Sequence, residues 1–330
     1  MSIFSFWDPV RFHGSLRSRH YFEGWYFKHI SAAGGGLSLI PGVSFNRSKR
    51  ICFLQCIHGP SGRTFWAEWP ISEFKTTNRP FSISVSGNRF SLDGIDVDLR
   101  DPGFSLKGSV AYSSPSLYPF RLFSPGVMGP YAFMPFMECY HAVISLDHRL
   151  SGKLRLNGKA MSFDGGRGYC EKDWGVSFPA WWVWAQSNSF SAFPGASFTL
   201  SVARVPWLGS AFTGYLAVLR VHGRILTWAS WTGSRLVSFD RGGDFAEVVI
   251  ANRRSTIRCR AVKKKNGVLK APVFGAMSRA IHESLDSVID VECRDRKGKL
   301  IFSGTGTNAG FELVGLPDNS RGKTLRKGRA

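Results

Sequence analysis

The feature that most limits the possible folds is an alternation of apolar and polar residues with a period of two, broken by turn residues. Such segments run from Tyr21 to Ile30, from Leu37 to Phe45 and from Arg50 to His58, and others follow them. Only a β-strand places successive side chains on opposite faces. With 36 glycines and 16 prolines among 330 residues, the chain leaves little room for long helices. The sequence therefore predicts an all-β fold and excludes a helical bundle.

The length indicates two units, at roughly 150 residues for each domain. We expect an N-terminal β-barrel over residues 1–150, with a covering loop at 115–135, and a C-terminal barrel over 151–316. Both halves place an acidic residue shortly before Trp, in FEGWYFKHI and in EKDWGVSFPAWWVWAQSNSF, which suggests a duplicated barrel. One segment has helical spacing, because Met277, Ala280, Ile281, Ser284 and Leu285 recur at intervals of three and four. A short helix is predicted near residues 276–285.

The net charge of +20 points to a polyanionic partner, and it is concentrated near the C-terminus. Residues 253–270 contain eight Lys or Arg and no acidic residue, and residues 317–330 form a basic tail predicted to be disordered. Stacking aromatics are missing from VKKKNG, so specific nucleic-acid binding is not expected. Peripheral contact with an anionic membrane through 253–270 is the alternative, as an accessory role. The oligomeric state is left open.

The N-terminus lacks a basic region followed by an apolar run, which predicts a cytoplasmic protein. The charge-free stretch from Trp174 to Ala203 contains two prolines and several polar residues, so a membrane-spanning helix is not expected.

Common cofactor and metal signatures are missing from the sequence. It has no Walker-type loop, no GxSxG elbow and no Rossmann fingerprint, and its six cysteines form no CxxC pair. We therefore predict neither a metal nor a cofactor, and we expect the cysteines to be buried.

Acidic residues in apolar surroundings are the most informative candidates for chemistry. Burial raises the pKa of a carboxyl group, so that it can remain a neutral proton donor near pH 7. Glu138 is the only acidic residue between Leu122 and Leu146. Glu23 shares a strand face with Trp25, and Glu171 shares one with Asp173. For each of them a structural ion pair is the alternative interpretation.

An aromatic stripe provides the candidate binding surface. On a strand through residues 181–190, one face carries Trp182, Trp184, Gln186, Asn188 and Phe190. Rings followed by amides suit an elongated apolar ligand with a polar head group. The alternative is that the tryptophans only fill a core.

Three segments resemble the tocopherol cyclase family: FEGWYFK at 22–28, MECYH at 137–141 and GYCEKDWGVSFPAWWVWAQSN at 168–188. The similarity extends from about Phe22 to Gly315. It implies two lipocalin-like barrels packed together, and a cofactor-free closure of a prenylated benzoquinol to a chromanol. In plant members of the family that this sequence resembles, Asn stands at the position of Asp173. The resemblance therefore does not assign an essential acid role to Asp173.

The resemblance implies a neutral carboxylic acid that protonates the alkene of the prenyl tail, after which the quinol oxygen captures the cation. Our order for the acid is Glu171, then Glu23, then Glu138, and Asp173 is a fourth candidate. The substrate-binding candidates are Trp25, His141, Trp174, Trp182, Trp184, Gln186 and Asn188, with the two amides orienting the head group.

Two other functions fit the same residues. The protein would be a carrier if the cavity bound a quinone, an isoprenoid or another lipid without changing it. It would be an alkene hydratase of the carotenoid hydratase type if water captured the cation.

Overall fold

The chain is built almost entirely of antiparallel strands. A computed structural model describes residues 8–135, 137–207 and 209–315. Within these ranges it has strands β1 to β22, short 3₁₀ turns at Ile71–Glu73 and Gly129–Phe133, and no α-helix. No helix in the described residues is long and apolar enough to cross a membrane. The all-β prediction is confirmed.

The first sheet forms a nearly closed barrel from β1 to β12. Its strands are β1 (Tyr21–Ile30), β2 (Gly36–Phe45), β3 (Arg50–His58), β4 (Arg63–Pro70), β5 (Phe74–Asn78), β6 (Phe81–Val85), β7 (Asn88–Ser91), β8 (Gly94–Asp101), β9 (Phe104–Leu117), β10 (Cys139–Leu156), β11 (Lys159–Ser162) and β12 (Arg167–Gly175). Their order is β4-β3-β2-β1-β12-β10-β9-β8-β7-β6-β5, and β11 pairs with β10. The two edge strands, β4 and β5, are joined by one short turn, which holds the edges of the barrel near each other.

The second sheet contains the remaining ten strands. These are β13 (Trp182–Ser187), β14 (Ser197–Trp207), β15 (Ser210–Val221), β16 (Arg224–Ala229), β17 (Arg235–Arg241), β18 (Phe245–Ala251), β19 (Ser255–Val262), β20 (Gly267–Val273), β21 (Ala276–Asp295) and β22 (Leu300–Val314). Their order is β16-β15-β14-β13-β22-β21-β19-β18-β17, and β20 pairs with β21.

The same strand order therefore occurs twice. In each sheet a four-strand meander is followed by the last strand of the unit, β12 in one and β22 in the other. The change from one sheet to the other falls between Gly175 and Trp182, later than the boundary expected at residue 150. It falls there because β12 pairs between β1 and β10 and so completes the first sheet.

The helix predicted near residues 276–285 is wrong, because this segment belongs to β21. Ala280, on the apolar side of the predicted helix, is exposed. Register shifts between Ser284 and Ser287, and again before Ile289, break the strict alternation of the strand. These bulges produce apolar spacings that resemble those of a helix.

The interior of the first barrel is filled. Alternate residues of its strands form one apolar core that includes Trp25, Phe27 and Cys170. The segment 8–14 is tied to this core, because the carbonyl of Val10 accepts a hydrogen bond from Trp25 Nε1 at 2.7 Å and that of Pro9 accepts one from Lys172 Nζ at 3.0 Å. We call this segment the N-terminal strap. The basic tail predicted at 317–330 lies outside the described residues.

Candidate active site

An apolar, aromatic-lined cavity lies between the two sheets and outside the core of the first barrel. Its volume is about 200 Å³. Alternate residues of several bordering strands face it, for example Phe22, Gly24 and Tyr26 of β1. The residues between them point into the barrel, so period-two alternation separates the cavity from the core.

Aromatic side chains and the segment after β9 surround this space. Trp182 and Trp184 line it from β13, and Tyr26 packs against Trp184 with ring centroids 5.4 Å apart. Val127, Met128 and Tyr131 line it from the segment 118–138, whose described residues form no strand and a single 3₁₀ turn. The covering loop was expected at 115–135, but residues 115–117 belong to β9, so the name is kept for 118–138. It places apolar side chains against a cavity that already has an aromatic wall.

Glu171 is a buried carboxyl group on this wall. Its Oε2 accepts hydrogen bonds from the Tyr169 hydroxyl at 2.6 Å and from Trp184 Nε1 at 3.2 Å. Burial raises the pKa of Glu171 to about 7, although the charge of His141 acts in the opposite direction. Glu171 can therefore carry a proton near neutral pH beside an indole ring.

His141 lies between two carboxyl groups. Its Nδ1 is 3.0 Å from Oδ1 of Asp173, and its Nε2 is 3.9 Å from Oε2 of Glu171. Burial opposes a charge on the imidazole, but the carboxylate of Asp173 outweighs it and raises the pKa of His141 to about 9. Within the described ranges Nε2 has no hydrogen-bond partner. A protonated His141 therefore has an N–H group available to a ligand.

The same three residues have the spacing of a metal site, since their ligand atoms lie within 4.8 Å of one another. A histidine must be neutral to bind a metal ion. Because His141 is protonated by its pairing with Asp173, a metal would have to displace that proton. The opposite charges of His141 and Asp173 therefore favour an ion pair over a metal site.

Two further carboxyl groups face the cavity from the second sheet and were not predicted. Glu283 Oε1 accepts a hydrogen bond from the Tyr26 hydroxyl at 2.5 Å, and Glu312 Oε2 accepts one from Trp182 Nε1. Burial raises the pKa of Glu283 to about 7. Burial and the charge of Glu283 raise the pKa of Glu312 well above its ordinary value.

The sequence contained a signal for Glu312 but obscured Glu283. Glu312 lies between Phe311 and Leu313, and apolar surroundings are the criterion by which the sequence predicts the acid candidates. Glu283 falls within the helix predicted near residues 276–285. A helix at that position does not place the Glu283 side chain on the same sheet face as a residue of β22.

Five of the predicted residues line the cavity: Glu171, Asp173, His141, Trp182 and Trp184. The others do not. The structure gives no support for Glu23 as a proton donor, because its carboxylate is 2.5 Å from Lys172 Nζ. Burial opposes the charge of Glu23, but Lys172 and His13 outweigh it and lower its pKa. Glu23 is thus an ionised residue inside the first barrel.

Trp25 and Trp174 both pack against Lys172, the partner of Glu23. The ammonium group of Lys172 lies 5.0 Å from the ring centre of Trp25 and 4.6 Å from that of Trp174. His13 stacks on Trp174 at 4.5 Å. Both tryptophans hold the N-terminal strap and are not among the cavity residues.

Glu138, Gln186 and Asn188 also have structural contacts. The backbone carbonyl of Glu138 accepts hydrogen bonds from the amides of Val176 and Ser177. Gln186 Oε1 accepts one from Lys28 Nζ at 2.7 Å, and Asn188 Nδ2 donates one to the carbonyl of Gly168 at 2.8 Å. None of the three lines the cavity, so the predicted role of the two amides in holding a head group is not supported.

The fold and the site define a lipocalin-like double-sheet protein with an acidic, aromatic-lined cavity. A family model described as tocopherol cyclase-like matches residues 121–315, more than half of the chain, and the protein belongs to that family.

Two plant proteins and one solved structure are similar to this chain. The "Tocopherol cyclase, chloroplastic" of Zea mays is 26% identical over 200 residues, which cover 56% of this chain and 41% of that protein. A relative from Oryza sativa subsp. japonica is 27% identical over 199 residues, covering 56% of this chain and 42% of its own. The chain thus spans less than half the length of these relatives. An AttH-type protein from Nitrosomonas europaea shares the fold at TM-score 0.52 and 13% identity, covering 92% of this chain and 94% of its own.

Proposed function

We propose that this protein catalyses proton-initiated ring closure of a prenylated benzoquinol or a similar isoprenoid, with Glu171 as the proton donor. The observation that carries the proposal is the buried Glu171 carboxyl group, hydrogen-bonded to Trp184 in an apolar cavity. A carboxylic acid kept neutral near pH 7 can act as a general acid. Membership of the tocopherol cyclase-like family supports the substrate class.

The reaction starts with transfer of the Glu171 proton to the alkene of the prenyl tail. A C–H bond forms and leaves a tertiary carbocation. The neighbouring hydroxyl oxygen of the substrate then attacks this carbon, forms the C–O bond and loses its proton. The product is an isomer of the substrate, so the reaction needs no oxidant and no reductant.

General acid catalysis contributes only about 10²- to 10⁴-fold, so the cavity must also stabilise the cation. A desolvated aromatic face contributes roughly 2 kcal/mol to a cation near its centre. We assign this role to Trp184, because it contacts the acid, whereas the guanidinium of Arg279 already lies 5.1 Å from the ring centre of Trp182. We assign His141 Nε2 as the donor to a head-group oxygen.

The test is incubation of the purified protein with a prenylated benzoquinol in D₂O, followed by mass spectrometry. The proposal expects a cyclised isomer with one deuterium in the former tail, and a loss of about 10²- to 10⁴-fold in Glu171→Gln. Glu138→Gln, which changes a carboxyl group outside the cavity, is the matched control and is expected to keep its activity.

The other outcomes identify the rival functions. An unchanged ligand would indicate a carrier, and a product heavier by one water would indicate a hydratase. Full activity in Glu171→Gln would overturn the assignment of the acid.

We also propose that the protein binds the surface of anionic membranes through residues 253–270. This binding would bring it close to a substrate dissolved in the lipid. Arg258 and Arg260 share Glu247, which offsets one of their two positive charges. Five basic residues of this segment are exposed and have no carboxylate partner among the described residues: Arg253, Arg254, Lys264, Lys265 and Lys270. Of these, Lys270 already lies 4.1 Å from the ring centre of Trp66.

A further inference from the structure

Glu283 and Glu312 form a carboxyl pair on the second sheet. They are direct register partners on β21 and β22, so their side chains leave the sheet on the same face. Trp184 is the register partner of Glu312 on β13, and its indole reaches Glu171. The pair and the proposed acid therefore belong to one cavity but to different sheets.

Tyr26 links the two walls. It is the register partner of Glu171 on β1 and β12, yet its hydroxyl group donates to Glu283 on the other sheet at 2.5 Å. Its ring also contacts Trp184. Glu283 is thus held at a fixed position relative to Glu171 by an aromatic side chain that lines the same cavity.

The surroundings of the pair do not neutralise both charges. Within the described ranges neither Glu283 nor Glu312 has a Lys, Arg or His nitrogen within ion-pair distance, whereas Glu23 has two. Lys28 and Lys263 act on Glu283 only as more distant positive charges, and Glu171 acts as a negative one. The charge of Glu283 raises the pKa of Glu312, and repulsion between two neighbouring carboxylates favours the state in which one is protonated and the other remains an acceptor.

We propose that the Glu283–Glu312 pair is the proton acceptor of the reaction and removes the proton from the substrate hydroxyl as its oxygen closes the ring. The inference rests on the proposed function. Glu171 loses one proton to the alkene carbon, the substrate O–H bond breaks as the C–O bond forms, and the pair gains one proton. Return of that proton to Glu171 restores the starting state, so the cycle is balanced.

The test separates protonation of the alkene from ring closure. Glu283→Gln, Glu312→Gln and the double variant are incubated with a prenylated benzoquinol in D₂O. In the double variant, deuterium should still enter the prenyl tail, in isomerised or hydrated products, while ring closure falls about 10²- to 10⁴-fold. Each single variant should lose less, because the other carboxyl group remains.

Matched variants define the controls. Glu292→Gln changes a half-buried carboxyl group on the same strand β21, outside the cavity, and should behave as wild type. Glu171→Gln should lose deuterium entry and ring closure together. Tyr26→Phe keeps both carboxyl groups but removes the hydrogen bond to Glu283, and should slow closure more than deuterium entry.

The outcomes distinguish the two proposals. Wild-type closure by a folded double variant would overturn the acceptor role alone, as would equal loss of deuterium entry and closure. A wild-type protein that neither deuterates nor closes the substrate would overturn the proposed function and the acceptor with it. If the double variant does not fold, the comparison of closure with deuterium entry in Glu312→Gln decides.

Discussion

At the scale of single residues, environment rather than residue type separates the acid candidates. Glu23 and Glu171 are both buried, and both lie on neighbouring strands of the first sheet. Lys172 pairs with Glu23 inside the barrel, and its own neighbour in sequence, Glu171, faces the cavity. One step along β12 therefore separates an ionised carboxylate from a carboxyl group with a raised pKa.

The pH dependence of activity follows from the charge state of Glu171. Its neutral form is the donor, and its pKa is raised to about 7. We expect kcat/KM to fall as the pH rises through about 7, because the acid form is lost. Rates measured from pH 5.5 to 9 would check this. A rate that increases throughout this range would contradict a neutral-acid donor.

Part of the site is predictable from the sequence, because side chains alternate between the two faces of a strand. Period two correctly grouped Glu171 with Asp173, and Trp182 with Trp184, on shared faces that line the cavity. It could not show which face of β1 points into the barrel, so Glu23 and Trp25 were included. The partners that determine this, His13 and Lys172, come from distant parts of the chain.

At the scale of elements, strands with strong alternation were predicted almost to the residue. The predicted strands at 21–30 and 50–58 match β1 and β3, and the one at 37–45 matches β2 to within one residue. β21 was missed because its bulges interrupt the alternation. Strand bulges depend on pairing with distant segments, and a local pattern does not contain that information.

The covering loop depends on one glycine. Gly129 has a φ of 55°, and a Cβ there would lie 2.3 Å from the indole of Trp231, whose Nε1 donates to the carbonyl of Val127. Gly129→Ala should displace the loop and weaken binding of an apolar fluorescent probe to the cavity at least tenfold. Gly126→Ala is the control, because its φ is 78° but nothing lies near its Cβ.

Both glycine variants share the backbone cost of a left-handed residue, about 1–2 kcal/mol. Only Gly129→Ala also places a Cβ against the indole of Trp231. Equal probe binding by the two variants would show that the contact with Trp231 does not position the loop.

The N-terminal strap depends on the buried Lys172. Lys172→Met should cost about 3–5 kcal/mol in the free energy of unfolding, because it leaves the Glu23 carboxylate buried without its partner. Adding Glu23→Gln should restore part of this loss. Urea unfolding would measure both variants.

An exposed ion pair provides the comparison for the strap. Lys49→Met removes the partner of Glu68 at the surface and should cost less than about 1 kcal/mol. A similar small cost for Lys172→Met would mean that the strap is held by other contacts.

At the scale of the whole molecule, the excess positive charge of +20 is the property that the fold leaves unexplained. Changing Arg253, Arg254, Lys264 and Lys265 together to Gln should reduce binding to phosphatidylserine-containing vesicles at least a hundredfold, at about 1 kcal/mol per residue. Sedimentation with vesicles would measure it.

The control for membrane binding removes equal charge elsewhere. Lys75, Arg89 and Lys159 are exposed basic residues on strands of the first sheet, and Arg79 is exposed in the turn between β5 and β6. Their replacement by Gln should leave vesicle binding largely intact. If both quadruple variants bind equally, the attraction depends on total charge rather than on residues 253–270.

The placement of the cavity between the sheets affects how chains of this architecture diversify. Its lining side chains alternate along each strand with those that build the barrel interiors. A lineage can therefore exchange the residues that meet a ligand while the neighbouring positions keep both halves folded. Single substitutions at the cavity-lining positions can then change the substrate preference.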